Sequence, residues 1–279
     1  MKEILKATET LQQCPLCASS SFFTRFSPDI CKCRQCAILF RNPRPNQADI
    51  FRSYNQGATF QQWQKELEAR SFLWKKRLAL VSSYQQSGTL LDVGTGDGCF
   101  LNFAKKQFDV CATEVSSAGI SYAKALGHQV HEGTVFDSFF DNKKFDVITI
   151  WHVLEHVDFP GEFLKRIKQL LAKGGFLFVA VPNELGPLCR PKTILMRSNP
   201  FPELRVGEEI HLTHFTPHSL KNHLTKNLGF SFISLKVDDV HVTRSHLKIF
   251  KTHLNSMLSS ALNTHFDDAM VSIFRLPLS

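Results

Sequence analysis

One short stretch, residues 90–98, constrains the fold more than any other part of the sequence. It reads Leu-Leu-Asp-Val-Gly-Thr-Gly-Asp-Gly, an apolar run that ends at Asp92 and continues with glycine at every second position. Glycine tolerates positive φ angles and leaves no side chain between the backbone and a ligand. A helix-like segment, 99–106, follows. We therefore predict a strand, a glycine turn and a helix start that together bind a polar, nucleoside-type cofactor.

Strand-like and helix-like segments alternate from residue 88 onward, which favours an α/β fold with a parallel sheet and helices on both faces. The predicted strands are 89–93, 109–113, 129–131, 145–150, 175–181, 230–237 and 269–276. The predicted helices are 47–54, 66–84, 99–106, 117–126, 160–171 and 217–228, with further helix over 240–265. The Pro-rich loop from 182 to 213 has the length of a lid over a site.

Two cysteine pairs near the N-terminus predict a structural metal site. Cys14 and Cys17 form one C-x-x-C pair, Cys33 and Cys36 form the second, and fifteen residues separate the pairs. Zinc prefers four such thiolates in a tetrahedron, and this spacing is typical of a zinc ribbon. Two disulfides or metal-free thiols remain the alternative. Cys31 is an alternative ligand to Cys33, but it would turn the second pair into C-x4-C.

The composition predicts a cytoplasmic protein with a reduced thiol pool. The first thirteen residues lack the apolar core of a signal peptide, and the longest apolar run is too short to cross a bilayer. The net charge is +8, but the basic residues are scattered, so they do not predict a nucleic-acid surface. The surplus positive charge also suits an anionic small molecule. Nothing in the sequence indicates an oligomeric state.

The spacing of the glycines narrows the choice of cofactor. The nicotinamide fingerprint requires a glycine where the chain has Cys99, and a phosphate-binding loop requires a Gly-Lys-Ser/Thr sequence that is absent. Glu114 follows the second predicted strand, twenty residues beyond Gly94. A carboxylate at this position can accept hydrogen bonds from both hydroxyls of a ribose.

At this point the chain resembles the class I S-adenosylmethionine-dependent methyltransferases. The resemblance is carried by Leu-Asp-Val-Gly-Thr-Gly-Asp-Gly at 91–98, Glu114, Phe-Asp-Val-Ile at 145–148, Val-Leu-Glu-His-Val at 153–157 and Leu-Leu-Ala-Lys-Gly-Gly-Phe-Leu at 170–177. The cysteine pairs, Asn-Pro-Arg-Pro at 42–45 and His-Leu-Thr-His-Phe-Thr at 211–216 extend it to bacterial members that carry an N-terminal zinc ribbon.

The resemblance implies a seven-stranded Rossmann-like, doubly wound sheet with an antiparallel last strand. It implies that the glycine turn lies alongside the methionine part of S-adenosylmethionine and that Glu114 binds its ribose. It also implies that Gly133, Thr134 and Val135 line the edge of its adenine. Many members have Asp where this chain has Thr134. The full set of expected cofactor-binding residues is Asp92, Gly94, Thr95, Gly96, Gly98, Glu114, Val115, Gly133, Thr134, Val135, Trp151 and His152.

The expected domain organisation has three parts. Residues 1–45 form the zinc ribbon and 46–87 a helical linker. Residues 88–279 form the methyltransferase domain, which includes a lid at 183–215 and a helical insertion at 238–267.

Methyl transfer to a hydroxyl or an acidic carbon also needs a base, and histidine is the usual one near neutral pH. We rank His214 first, followed by His152 and His211. The Glu155–His156 pair is a further candidate, although it can equally cap and orient the next helix. Phe201 and Phe215 are candidates for an acceptor pocket, with plain core packing as the alternative.

Three functions fit these observations. The first is methyl transfer to oxygen or carbon of a small molecule such as a sugar, a lipid precursor, a quinone or a natural product. The second is an RNA or protein methyltransferase that uses the ribbon for recognition. This second function is disfavoured because the chain has Trp-His-Val-Leu at 151–154 in place of the Asn-Pro-Pro-Phe/Tyr signature of amino methylation. The third is a non-catalytic zinc and nucleotide-binding scaffold, which the intact glycine turn disfavours.

Overall fold

We describe the protein from a computed structural model. It describes residues 4–25, 27–56, 67–183, 201, 204, 210–238 and 269–278, without the side chains of 54–56 and 67–69. The predicted lid over 183–215 and the predicted helical insertion over 238–267 therefore lie largely outside the described residues. Among the helices of the described part, none has the length and apolar character that crossing a membrane requires.

A seven-stranded sheet forms the centre of the molecule. Its strands are β4 (Gly88–Val93), β5 (Phe108–Glu114), β6 (His131–Glu132), β7 (Phe145–Trp151), β8 (Leu171–Pro182), β10 (Ser231–Val237) and β11 (Ala269–Arg275). They are arranged in the order β10-β11-β8-β7-β4-β5-β6. The pairs from β6 to β8 are parallel, and β11 runs antiparallel to both of its neighbours. The predicted sheet with an antiparallel last strand is confirmed.

The described helices are α1 (Gln47–Gln56), α2 (Leu67–Ser82), α3 (Leu101–Ala104), α4 (Ser117–Ala125), α5 (Pro160–Leu170) and α6 (Pro217–Asn222). Local sequence explains where they begin. The Ser116 side chain accepts a hydrogen bond from the Gly119 amide at the start of α4, and Thr216 forms a capping box with Ser219 at the start of α6. Proline occupies the first turn of α5, where its missing N–H is harmless.

Several predicted elements differ in extent from the observed ones, and the predicted strand 175–181 lengthens to β8, Leu171–Pro182. The predicted helix 99–106 shortens to α3, and the predicted strand 129–131 becomes the two-residue β6. The predicted helix 217–228 consists of α6 followed by a π-turn, His223–Asn227. Ends of elements are the features least determined by hydrophobic period, because turns and tertiary contacts decide them.

Strand residues alternate between two cores, one on each face of the sheet. Leu90 and Phe178 pack on one face with Trp74 and Val81 of α2. Their neighbours along the strands, including Leu91, pack on the other face with α5. Trp74, Leu78 and Val81 of α2 are all buried in the first of these cores.

A second, four-stranded sheet lies among the cysteine pairs, and Cys33 is the last residue of its second strand. It consists of β1 (Phe22–Arg25), β2 (Ser27–Cys33), β3 (Leu39–Arg41) and β9 (Thr213–His214), in that order. Since β9 lies more than 170 residues after β3, the sequence did not indicate this pairing. Ribbon residues such as Leu16, Ile38 and Phe40 share one continuous core with α5 and α6. The N-terminal segment is therefore packed directly on the large sheet.

Candidate active site

The glycine turn follows β4 at the carboxyl edge of the large sheet, where ligands bind in open α/β folds. Gly94, Gly96 and Gly98 have φ angles of 68°, 60° and 74°, in the left-handed region. A Cβ atom on Gly94 would lie 2.5 Å from Val153 Cγ2, and one on Gly98 would lie 2.8 Å from Ala123 Cβ. Glycine is required here both for the backbone conformation and for close packing.

Glu114, at the end of β5, is tied to the glycine turn. Its carboxylate accepts hydrogen bonds from the Gly96 amide at 2.7 Å and from the amides of Val115 and Ser116, both at 2.8 Å. Burial outweighs these three donors and raises the pKa of Glu114. The two sequence features singled out for the cofactor are thus joined by a direct contact.

Asp92 and Thr95 lie beside this link, and both are buried. Thr149 donates a hydrogen bond to Asp92 Oδ1 at 2.7 Å. Burial raises the pKa of Asp92 to about 6, against the opposing effects of its hydrogen bonds and of Arg77. The Thr95 amide donates to the carbonyl of Thr113 on β5, at 2.9 Å, which fixes the turn to the neighbouring strand.

The expected adenine edge lies after β6. The Gly133 amide donates to the Glu114 carbonyl at 2.9 Å, and the Thr134 amide donates to Asp137 Oδ2 at 3.0 Å. Val135 is fully buried in the core, whereas Val115 is 38% exposed. The segment therefore lies beside Glu114, with Val115 presenting an exposed apolar surface.

His152 is held between two carboxylates. Its Nε2 lies 2.8 Å from Asp238 Oδ2 and its Nδ1 lies 3.3 Å from Glu155 Oε1. Burial disfavours the charged ring, but the two carboxylates outweigh burial and raise the pKa of His152 to about 9. The φ angle of His152 is 55°, unusual for a residue other than glycine. At neutral pH this side chain is a fixed cation, which cannot accept a proton.

Two residues missed by the sequence reasoning complete this network. The Arg77 guanidinium donates to Asp238 through Nε at 3.2 Å and Nη2 at 2.5 Å. It also lies 4.7 Å from the ring centroids of both Trp74 and Trp151. Trp151 thus contacts a buried ion pair, and its role toward a cofactor stays a prediction. Arg77 and Asp238 lie 161 residues apart, and no local pattern marks either of them.

A second cluster consists of Glu155, His156 and His211. One carboxylate oxygen of Glu155 and one ring nitrogen of each histidine lie within 4.8 Å of one another. The His156 Nδ1 lies 2.6 Å from the Ile210 carbonyl, which fixes the proton on Nδ1 and leaves the lone pair on Nε2. Glu155 is 1% exposed. Burial would raise its pKa, but His152, His156 and His211 outweigh burial and lower it, so the carboxylate is charged.

His214 lies beside this second cluster, with its ring centroid 6.4 Å from that of His211, whereas the candidate pocket residues pack in the core. His214 lies in β9, is buried, and packs with its ring centroid 4.4 Å from that of Phe201. Phe201 packs on Ile30 of the ribbon sheet, and Phe215 lies in the large core. The core-packing interpretation of both Phe residues is favoured. The capping interpretation of Glu155 is not, because α5 begins without a side-chain cap.

The four predicted cysteine ligands come together. The Sγ atoms of Cys14 and Cys36 are 3.6 Å apart, as are those of Cys17 and Cys33, and all four lie within 4.8 Å of one another. A tetrahedral zinc thiolate has sulfur atoms about 3.8 Å apart, so the cluster fits that ion. Cys31 lies outside the cluster, with its Sγ 3.8 Å from the Asn42 carbonyl.

Comparison with known proteins supports one family. A family model described as a methyltransferase domain matches residues 62–235. The ubiquinone biosynthesis O-methyltransferase of Caulobacter vibrioides is 36% identical over 111 residues, 34% of this chain and 41% of that protein. The protein of the same description from Pasteurella multocida is 32% identical over 111 residues, 34% of this chain and 46% of that protein. The chain thus matches less than half the length of these curated relatives.

Solved structures share the fold at low identity. A SAM-dependent methyltransferase from Thermotoga maritima, described as a possible histamine N-methyltransferase, aligns with a TM-score of 0.55 and 17% identity. The alignment covers 81% of this chain and 99% of that one. The structure described as a DhpI-SAM-HEP complex aligns with a TM-score of 0.51 and 19% identity, covering 82% of this chain and 95% of that one.

The raised pKa of His152 predicts a pH-dependent stability. We expect the free energy of unfolding to fall by about 1–3 kcal/mol as pH rises from about 6.5 to about 9. The reason is that the unfolded chain releases this proton near pH 6.5, whereas the folded protein retains it to a higher pH. Urea unfolding of wild type and His152→Gln across this range measures the difference. The exposed His218→Gln is the control, and an unchanged pH dependence in His152→Gln would contradict the assignment.

Proposed function

Because this chain belongs to the methyltransferase-domain family, we propose that it transfers the methyl group of S-adenosylmethionine to oxygen or carbon of a small molecule. The observation that carries the proposal is the hydrogen bond between the Gly96 amide and the Glu114 carboxylate. This hydrogen bond joins the glycine-rich turn to the Glu114 carboxylate at the edge of the sheet where ligands bind in such folds. The curated relatives, which are named O-methyltransferases, favour a hydroxyl acceptor.

The residues around the turn fit this cofactor. The backbone at Gly94 and Gly98 is packed too closely against its neighbours for either residue to carry a side chain. A carboxylate offers about four lone-pair sites, so Glu114 retains acceptor capacity for ribose after binding its three amides. Asp92 would face the amino end, and Val115 with Thr134 would edge the adenine. When bound, the cofactor supplies an already activated methyl group, so the protein mainly aligns donor and acceptor.

For the base we place His211 ahead of His214 and His152. His211 lies next to the charged Glu155 and the oriented ring of His156, and it is only half-buried. His152 is held as a cation, and His214 packs against Phe201 next to the ribbon. A proton taken by the His211 ring would be stabilised by the nearby carboxylate of Glu155, as in other His–carboxylate pairs.

We further propose that Cys14, Cys17, Cys33 and Cys36 bind one structural zinc ion. A set of four thiolates leaves no open position for substrate, so the ion would stabilise the ribbon and take no part in chemistry. The division into ribbon 1–45, helical linker 46–87 and methyltransferase domain 88–279 is part of the same proposal. All seven strands of the large sheet come from residues after 87, in keeping with this division, but the small sheet also includes β9 from the methyltransferase part.

Replacement of Glu114 tests the cofactor site. Glu114→Gln should weaken binding of S-adenosylhomocysteine at least about tenfold, because a charge-assisted hydrogen bond contributes about 1.5–3 kcal/mol. The matched control is Glu132→Gln, on the neighbouring strand, where the carboxylate pairs with exposed Lys124. Thermal shift against ligand concentration gives both affinities. Equal affinities in the two variants would argue against the site.

Replacement of the histidines tests the base. A screen of catechols, phenols and nucleotide-sugars, with total RNA as the competing class, identifies an acceptor for wild type. With that acceptor, His211→Gln should lower kcat about 100-fold and leave affinity for S-adenosylhomocysteine unchanged. His214→Gln should lower kcat less. The reverse order of the two variants would exclude His211 as the base.

Metal analysis tests the ribbon. Purified wild type should contain about one zinc per chain, and Cys33→Ser should contain almost none, because three thiolates hold zinc weakly. Cys31→Ser is the matched control and should retain the full zinc content. If Cys31→Ser loses zinc and Cys33→Ser keeps it, the ligand set is wrong.

A further inference from the structure

The zinc-ribbon strand β3 and the segment that carries His211 are joined by several hydrogen bonds. We infer that Arg41, the last residue of β3, is a positioning residue for His211, so that the ribbon forms a wall of the acceptor site. The inference rests on the proposed function, since it concerns the proposed base. The N-terminal ribbon would then help to position the base, a role distinct from binding metal and from recognising a macromolecule.

Arg41 contacts the His211 segment through both backbone and side chain. Its amide donates to the Leu212 carbonyl at 2.9 Å, and its Nε donates to the His211 carbonyl at 3.2 Å. The same guanidinium forms an ion pair with Asp29 on β2. Arg41 is 4% exposed, so it is a buried charge whose planar fork connects the ribbon to His211.

The opposite side of the same segment is hydrogen-bonded to the backbone of Glu155, a member of the cluster that Glu155 forms with His156 and His211. The Leu212 amide donates to the carbonyl of Glu155 at 2.8 Å. The two residues that follow, Thr213 and His214, form β9 and pair with Phe40 and Leu39 of the ribbon. Residues 211–214 therefore lie between the ribbon and the turn Leu154–His156, and the ribbon sets their distance from Glu155.

The ribbon is itself docked at fixed points. The Pro15 carbonyl, inside the first cysteine pair, accepts a hydrogen bond from the Gly161 amide at 3.1 Å. A Cβ on Gly161 would lie 2.2 Å from the Leu16 carbonyl oxygen, so the knuckle and α5 are in close contact. Arg44 Nη1 donates to the Asp158 carbonyl at 2.7 Å. These contacts keep the ribbon from moving independently. Arg41 is therefore itself held in place where it binds the His211 carbonyl.

Arginine is needed here because one side chain must reach two acceptors. A lysine at position 41 keeps the charge and the strand, but its single ammonium cannot reproduce the fork between Asp29 and the His211 carbonyl. We therefore expect Arg41→Lys to fold and to shift the His211 ring relative to Glu155. A displacement of about 1 Å lowers turnover between about 10- and 100-fold.

The test compares Arg41→Lys with Arg34→Lys in the full-length, zinc-loaded protein. Arg34 is exposed on the ribbon and stacks on Phe23, 4.6 Å from its ring centroid. The ring resonance of His211 is assigned in histidine-labelled protein by its loss in His211→Gln. Arg41→Lys should shift this resonance and its titration midpoint and lower kcat at least about tenfold. Arg34→Lys should do neither, and both should keep wild-type zinc content and affinity for S-adenosylhomocysteine.

Two results would overturn the inference. One is a His211 resonance and titration in Arg41→Lys that match Arg34→Lys. The other is a shift accompanied by loss of zinc or of S-adenosylhomocysteine affinity, which would assign the effect to general loosening of the ribbon. Because the resonance is read without turnover, it decides the role of Arg41 even if wild type methylates no acceptor in the screen.

Discussion

The contact between the Glu114 carboxylate and the Gly96 amide is the constraint on which the rest of the site depends. It joins the ends of two parallel strands, β4 and β5, and it holds a carboxylate where water is largely excluded. Such a group is costly to bury unless hydrogen bonds satisfy it, and three backbone amides do so. The position of the turn, its glycines and the carboxylate are therefore mutually dependent.

Charge at the carboxyl edge of the sheet is divided between two neighbouring clusters. In one, Arg77, Asp238 and the partly buried His152 form a chain of alternating charge that is fully paired and therefore rigid. In the other, Glu155 lies beside the imidazole rings of His156 and His211. Glu155 contacts both clusters. The paired chain contacts Glu155 and so helps to fix the turn that carries Glu155 and His156, beside which lies His211, the residue that we propose as the base.

The parts of the fold with strong hydrophobic period were predictable, and the parts set by distant contacts were not. The strands β4, β5, β7 and β8 follow from apolar runs between turn residues. The glycine turn, Glu114 and the four cysteines follow from spacing. The addition of β9 to the ribbon sheet, and the pairing of Arg77 with Asp238, join residues more than 150 positions apart. Such pairings leave no local pattern, so neither the Arg41 contact nor the fixed charge on His152 was predictable from the residues alone.

We propose that the glycine turn and Glu114 bind S-adenosylmethionine, and calorimetric titration of the wild-type protein is the decisive experiment. We expect S-adenosylmethionine and S-adenosylhomocysteine each to bind at one site per chain, and adenosine alone to bind more weakly at the same site. Absence of heat and of saturation with both compounds, in protein that is folded and zinc-loaded, would contradict it.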